Sequence, residues 1–344
     1  MRRSLFLCSI FVVLGAFAQE YAIAQTTHYV DNLSLCEGNA PCYATIMEAV
    51  DAAVASDTIV VFPGIYPEAV VISSRDNIVL SAHKRSVKPV IAAPSGASAV
   101  TIHSPGVRIS GFILEASEGS AVEGFGGISG LAIIEDNLMK SLNGILFRPG
   151  SYVSVRHNTI IGGGIRFPMG GNGCQIEGNR LIGAGIGFSE GFTEAGSNII
   201  RGNVLTGGSI TLGARHVSGN IVQSNMIDGG YIVLSGYFAE SNMIKNNTVR
   251  GDGIHLGFKS VNANTIVLTF VSGSSVDGIS IYDGDGGVTN VIRKNTSVGN
   301  AGCDINDQSP STSMNLWEQN RFVTKCGAAT NELASERLHL REQR

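Results

Sequence analysis

The sequence repeats itself every 21 to 26 residues, and a repeat of that length with no helical pattern leaves few folds open. The segments Glu135-Asp136-Asn137-Leu138, Arg156-His157-Asn158-Thr159, Glu177-Gly178-Asn179-Arg180 and Arg201-Gly202-Asn203-Val204 share one pattern. It continues at Asn225, Asn247, Asn295 and Asn320, with Thr269 in the slot after Asn247. A second Asn precedes the first by five positions, at Asn198, Asn220, Asn242, Asn264, Asn290 and Asn315; Cys174 fills that slot one repeat earlier. Between them lies one apolar position, from Ile134, Val155 and Ile176 to Ile292 and finally Trp317.

A second segment recurs with the same period: Ile145-Leu146-Phe147, Ile165-Arg166-Phe167, Ile186-Gly187-Phe188 and Ile210-Thr211-Leu212, then Ile232-Val233-Leu234, Ile254-His255-Leu256 and Ile279-Ser280-Ile281. Apolar outer members around a variable centre have the period of a strand. Two or three short strands per repeat, with Gly and Asn at the corners, predict an all-β chain wound as a parallel β-helix, its coils of about 22 residues stacked roughly 4.8 Å apart. Forty-four glycines suit the sharp corners. Apolar columns then fill the bore and Asn side chains bond along their own column. Cys174, standing in for an Asn, is expected as a buried free thiol.

The column beside the inward one reads Glu135, Arg156, Glu177, Arg201, Gln223, Lys245, Val267, Arg293 and Glu318, a ladder of alternating sign at its start. Residues 25–57 form an N-terminal segment with a capping helix: Ala44 to Ala55 is amphipathic, with Ile46, Ala49, Val50 and Ala53 on one face. The β-helix is expected over 58–327 and a polar tail over 328–344. Cys36 and Cys42 flank a short polar loop, and Cys303 and Cys326 stand one coil apart; both pairs are expected as disulfides.

Residues 1–24 read as a signal peptide: Arg2 and Arg3, an apolar run from Leu5 to Phe17, and a small-x-small site at Ala22-Ile23-Ala24. The protein is therefore expected to be secreted or periplasmic, with no transmembrane segment after cleavage. Lys and Arg total 24 against 28 Asp and Glu, a net −4 without a basic run. Nucleic acid is not an expected partner.

The stretch TIMEAVDAAVASDTIVVFPGIY from Thr45 to Tyr66, the Asn-punctuated coils and the closing Cys303-Asp304-Ile305-Asn306-Asp307 resemble secreted right-handed parallel β-helix proteins of the pectate-lyase-like superfamily. The resemblance covers roughly residues 28–326 and implies a right-handed coil. It also implies a carbohydrate role, since pectate lyases, polygalacturonases and alginate epimerases belong there. The motifs of those enzymes are missing: no Asn-Thr-Asp with Gly-His-Gly, no Asp-Pro-His and no Arg-x-Pro-x-x-Arg occurs.

Candidate residues come from stacking. Arg166 and His255 share the outward column of the Ile-x-Phe/Leu strand, four coils or about 19 Å apart, too far for one catalytic centre. The loops after that strand carry Arg148, Glu190, Phe192, Glu194, Arg215, His216, Tyr237, Phe238, Phe258, Lys259, Tyr282, Asp283 and Asp285, and stacked coils make them one rim. Aromatics with interleaved charges suit a sugar polymer lying along the coils, its uronates paired with the cations; packing of the aromatics onto the loops beneath is the equal alternative. For proton transfer beside a carboxylate the set is His216 as base, Arg215 as cation and Tyr237 as acid. No cofactor is expected, although Asp283 and Asp285 have the Asp-x-Asp spacing that calcium can use. The sequence thus points to an exported β-helix that binds or processes an acidic polysaccharide. The alternative is a non-catalytic structural or interaction module.

Overall fold

The computed structural model describes residues 25–84, 87–125, 131–148, 150–189, 193–257, 259–282, 289–310, 315–327 and 332–333. The leader, most of the C-terminal tail, Phe192, Phe258, Asp283 and Asp285 lie outside the described residues. The chain winds into a parallel β-solenoid of about 11 turns. One coil shows the path. Ile199–Arg201 lies in sheet 1, Val204–Thr206 in sheet 2, Ile210–Gly213 in sheet 3 and His216–Ser218 in sheet 4. The chain then re-enters sheet 1 at Ile221–Gln223. Among the described residues the four sheets hold 15, 11, 12 and 6 strands.

Strands pair in parallel with their equivalents one coil on, and the register keeps like over like. Ile200 faces Val222, then Ile244, Ile266, Ile292 and Trp317. All six are buried, so they form one column of the core. In sheet 3 Phe147, Phe167 and Phe188 stack inward, with ring centroids 6.2 and 4.4 Å apart. Sheet 1 reaches back to Thr27–Val30, which pairs with Thr58–Val61.

The fourth sheet is an addition to the two or three strands read from the sequence. Segments read there as loops alternate outward, inward, outward. Their inward members Ala195, Val217, Ala239 and Val261 are fully buried. These three-residue strands rest on one small apolar side chain each, too weak a pattern to stand out.

Both Asn columns are polar ladders inside the wall. The Asn203 amide and its Nδ2 each donate to Asn225 Oδ1 at 3.0 Å, while Nδ2 also donates to Ile176 O at 2.8 Å. Each rung satisfies buried groups of the next, which makes burial of so many amides tolerable. Thr269 keeps the first ladder continuous by accepting from Asn247 N and donating its own N–H to Asn295 Oδ1. Cys174 is the first member of the second ladder, with its N–H on Asn198 Oδ1 at 2.9 Å. The preceding coils carry Ala132 and Val153 there. Cys174 is in neither disulfide and is buried, and burial pushes its thiol up to about 11.

The charged column is partly an ion-pair ladder. Arg201 pairs with Glu177 at 2.9 Å, and Glu135 accepts from both Arg108 and Arg156. Glu135 is only 4% exposed although its register is outward, because the two guanidinium groups cover it.

Among the described residues the single α-helix, Ile46–Ala52, follows the amphipathic pattern. Thr45 and Glu48 form a capping box at its start. Glu68 accepts the next two amides, Ile46 N and Met47 N. Arg75 donates to Asp51 O and Ala53 O at the other end. The buried face of Ile46, Ala49 and Val50 joins the core at the first strands. Among the described residues no helix is long and apolar enough to cross a membrane.

Cys36 pairs with Cys42 and Cys303 with Cys326, each with Cα atoms 5.9 Å apart. The second bond does not join vertical neighbours, because Cys326 stands in register with Asn306. It crosses diagonally between adjacent coils.

Candidate functional site

Two concavities meet on the outer face of sheet 3. The larger, about 580 Å³, is lined by Asn143, Leu146, Arg148, Arg166, Pro168 and Ser189. The other, about 350 Å³, continues over the corner between sheets 2 and 3; Arg166 and Ser189 belong to both. Ser209 and Thr211 add hydroxyl groups there, and half of its lining residues are glycines. Volumes of this size hold small ligands or a few units of a polymer.

The sequence dictates this shape through side-chain size. On the outward column Arg166 stands between Leu146 and Gly187, and Thr211 follows. A Cβ added at Gly187 would meet nothing within 4 Å, so the space beside Arg166 is open. At the corner the backbones themselves touch. A Cβ at Gly185 would sit 2.6 Å from Ser209 O, so glycine is needed for the coils to close there. The result is a trough with a backbone floor, into which a polar chain can lie close.

Its electrostatics follow from the lining. Arg148 and Arg166 both face it, and among the described residues no carboxylate lines it. Arg148 is 3.4 Å from Glu123 one coil earlier, so its charge is partly matched. Arg166 is exposed and has no partner among the described residues. A guanidinium with open space on one side and hydroxyls around it is suited to a bidentate carboxylate.

The other residues singled out from the sequence are spread along the axis. Arg215 and His216 share the coil of Thr211, two coils beyond Arg166, and neither lines the trough. His216 is half-buried in sheet 4 and stacks on Phe238 with centroids 4.8 Å apart. Part of the rim therefore packs on itself. Tyr237 and Tyr282 remain 45% and 50% exposed, and Lys259 is exposed. His255 lies four coils from Arg166, as expected, and its ring bonds to Ser280 and to Asp252 O. Asn143, Ser189 and Ser209 were missed; they sit at corners and strand ends, where periodicity gives no direction. Among the described residues no group of three His, Cys, Asp or Glu is placed to hold a metal ion.

Solved structures share this architecture. The chain superposes on a mannuronic acid specific polysaccharide family 6 lyase enzyme from human gut microbiota with a TM-score of 0.59, at 13% identity, over 89% of this chain and 84% of that one. The catalytic domain of a GH87 alpha-1,3-glucanase in complex with nigerose gives a TM-score of 0.55 at 11% identity, covering 86% of this chain and 64% of that one. The Agl-KA catalytic domain gives 0.55 at 12% identity, covering 84% and 64%. The chain thus spans somewhat less than two thirds of the last two. No protein-family model matches the sequence, and no curated protein matches it. Identities this low establish a common fold and nothing finer: the chain is a parallel β-solenoid of the same architecture as these β-helix enzymes.

Proposed function

We propose that the protein is an exported carbohydrate-binding solenoid that takes an acidic polysaccharide along sheet 3, with Arg166 gripping a uronate carboxylate. The observation that carries this reading is the trough around the exposed Arg166, where among the described residues no carboxylate lines the surface and Arg166 has no partner. Its hydroxyls suit sugar hydroxyls, and its backbone floor lets a stiff chain approach. The mannuronic acid named for the lyase of the same fold supports an acidic sugar. Two disulfides support an oxidising compartment, secreted or periplasmic. In this reading the coil is right-handed and the helix closes its N-terminal end.

Affinity electrophoresis of the mature protein in gels containing alginate, polygalacturonate or a neutral glucan tests the proposal. The acidic polymers should retard the protein, and retardation should fade as salt rises, because exposed charges are screened over about 10 Å at 0.1 M. Arg166→Ala should weaken binding about tenfold or more, as expected for a charged hydrogen bond of roughly 1.5–3 kcal/mol. Gly187→Trp should block the trough while leaving the melting temperature within a degree or two. Retardation by the neutral glucan alone, or indifference to both variants, would overturn the reading. Proton transfer by His216 with Arg215 and Tyr237 is a separate proposal. Its signature is absorbance of unsaturated products that disappears in His216→Ala.

A further inference from the structure

Ser280 and His255 face outward on sheet 3 in directly paired strands. His255 Nδ1 lies 2.7 Å from Ser280 Oγ, and Nε2 lies 2.5 Å from the carbonyl oxygen of Asp252. A carbonyl oxygen can only accept, so Nε2 carries the proton. In the neutral ring Nδ1 is then the lone-pair nitrogen, and the Ser280 hydroxyl must donate to it. The fold therefore holds a serine hydroxyl against a histidine base whose tautomer and orientation are fixed by a third group. That is the nucleophile–base–orienter arrangement of acyl-transfer enzymes, recognised by geometry rather than chain order.

We infer that Ser280 and His255 form a hydrolytic site for small oxygen esters, such as acyl groups carried on sugar hydroxyls. Ser280 Oγ attacks the ester carbonyl carbon as its proton passes to His255 Nδ1. The carbon–alkoxy bond then breaks, and the leaving alcohol takes that proton. Water attacks the acyl-serine in the same manner, giving its proton to Nδ1, and releases the carboxylic acid while Ser280 recovers a hydrogen. Both side chains are half-buried, so the hydroxyl is reachable from solvent while its partner is held. Tyr282, 50% exposed and two residues along the same strand on the same face, supplies an O–H for the developing oxyanion.

The inference does not rest on glycan binding at Arg166. Ester turnover and polymer retention are measured separately, and either can fail alone. The test uses p-nitrophenyl acetate as substrate and a fluorophosphonate as covalent probe on the mature protein. Turnover is expected, with the probe's mass on the Ser280 peptide. Ser280→Ala should abolish labelling, and His255→Asn should lower kcat/KM at least about a hundredfold, the usual worth of a general base. Tyr282→Phe should lower kcat with little change in KM. Ser218→Ala, an exposed serine on sheet 4, should behave as wild type. Circular dichroism of each variant separates loss of chemistry from loss of fold. Label on another serine, or equal turnover by folded Ser280→Ala, would overturn the assignment.

Discussion

At the scale of single residues, the outward ladder shows how a charge is kept in the wall. Burial works to raise the Glu135 carboxyl, but the hydrogen bonds and charges of Arg156 and Arg108 outweigh it and hold it below the usual carboxylate range. A depressed folded value contributes stability that is fully present above the unfolded carboxylate value of about 4.3 and is lost as pH falls through the folded value. Glu135→Gln should therefore lower stability at pH 7 by about 1–3 kcal/mol, discounted because both arginines are partly in water. The gap to wild type should shrink on acidification to pH 3. Urea midpoints at the two pH values check this, and a gap that stays constant would mean that the carboxylate's charge is irrelevant. The direction in which Arg166, His255 and Ser280 point was legible in the sequence, because the period places all three on one outward column. The bond from His255 to Asp252 O was not, because it depends on how the corner before the strand folds, and corner residues carry no periodic signal.

Individual strands here are too short to be stable alone, and the ladders make them cooperative. Asn220 Oδ1 accepts from both the amide and the Nδ2 of Asn198, at 3.0 and 2.9 Å. Asn220→Leu keeps the branched shape but strands those donors in a fully buried site, at about 1–3 kcal/mol per orphaned group. Cys174→Val should cost less than about 1 kcal/mol, since the coils below already carry Val153 and Ala132 in that slot. Thermal melts of the two variants give the comparison; equal losses would show that the ladder adds nothing beyond packing. This repeat was plain in the sequence because stacking forces identical demands on every coil. The helix was also legible, from its amphipathic face. The six strands of sheet 4 were not, because one Ala, Gly or Val between two variable residues does not distinguish a strand from a loop.

Across the whole molecule, each coil touches mainly its neighbours, so stability should behave as a chain of local terms that propagate along the axis. The C-terminal end offers a direct test. The Cys303–Cys326 bond closes a 23-residue separation across the final coils. Trp317, the only tryptophan, is fully buried there and donates its Nε1–H to Asp307 Oδ2 at 3.0 Å. Its fluorescence therefore reports that end alone, whereas the far-ultraviolet β signal reports all coils. A cross-link over a loop of this size is worth roughly 3–4 kcal/mol. In a doubly substituted Cys303→Ser and Cys326→Ser protein, the red shift of Trp317 should come at lower denaturant than the loss of β signal. In the oxidised wild type the two transitions should lie closer together. Hydrogen exchange should rise first around Thr296–Val298 and Leu316–Glu318 and fade toward the N-terminal coils. If both probes shift together and exchange rises uniformly, the solenoid melts as one unit and the bond stabilises every coil equally.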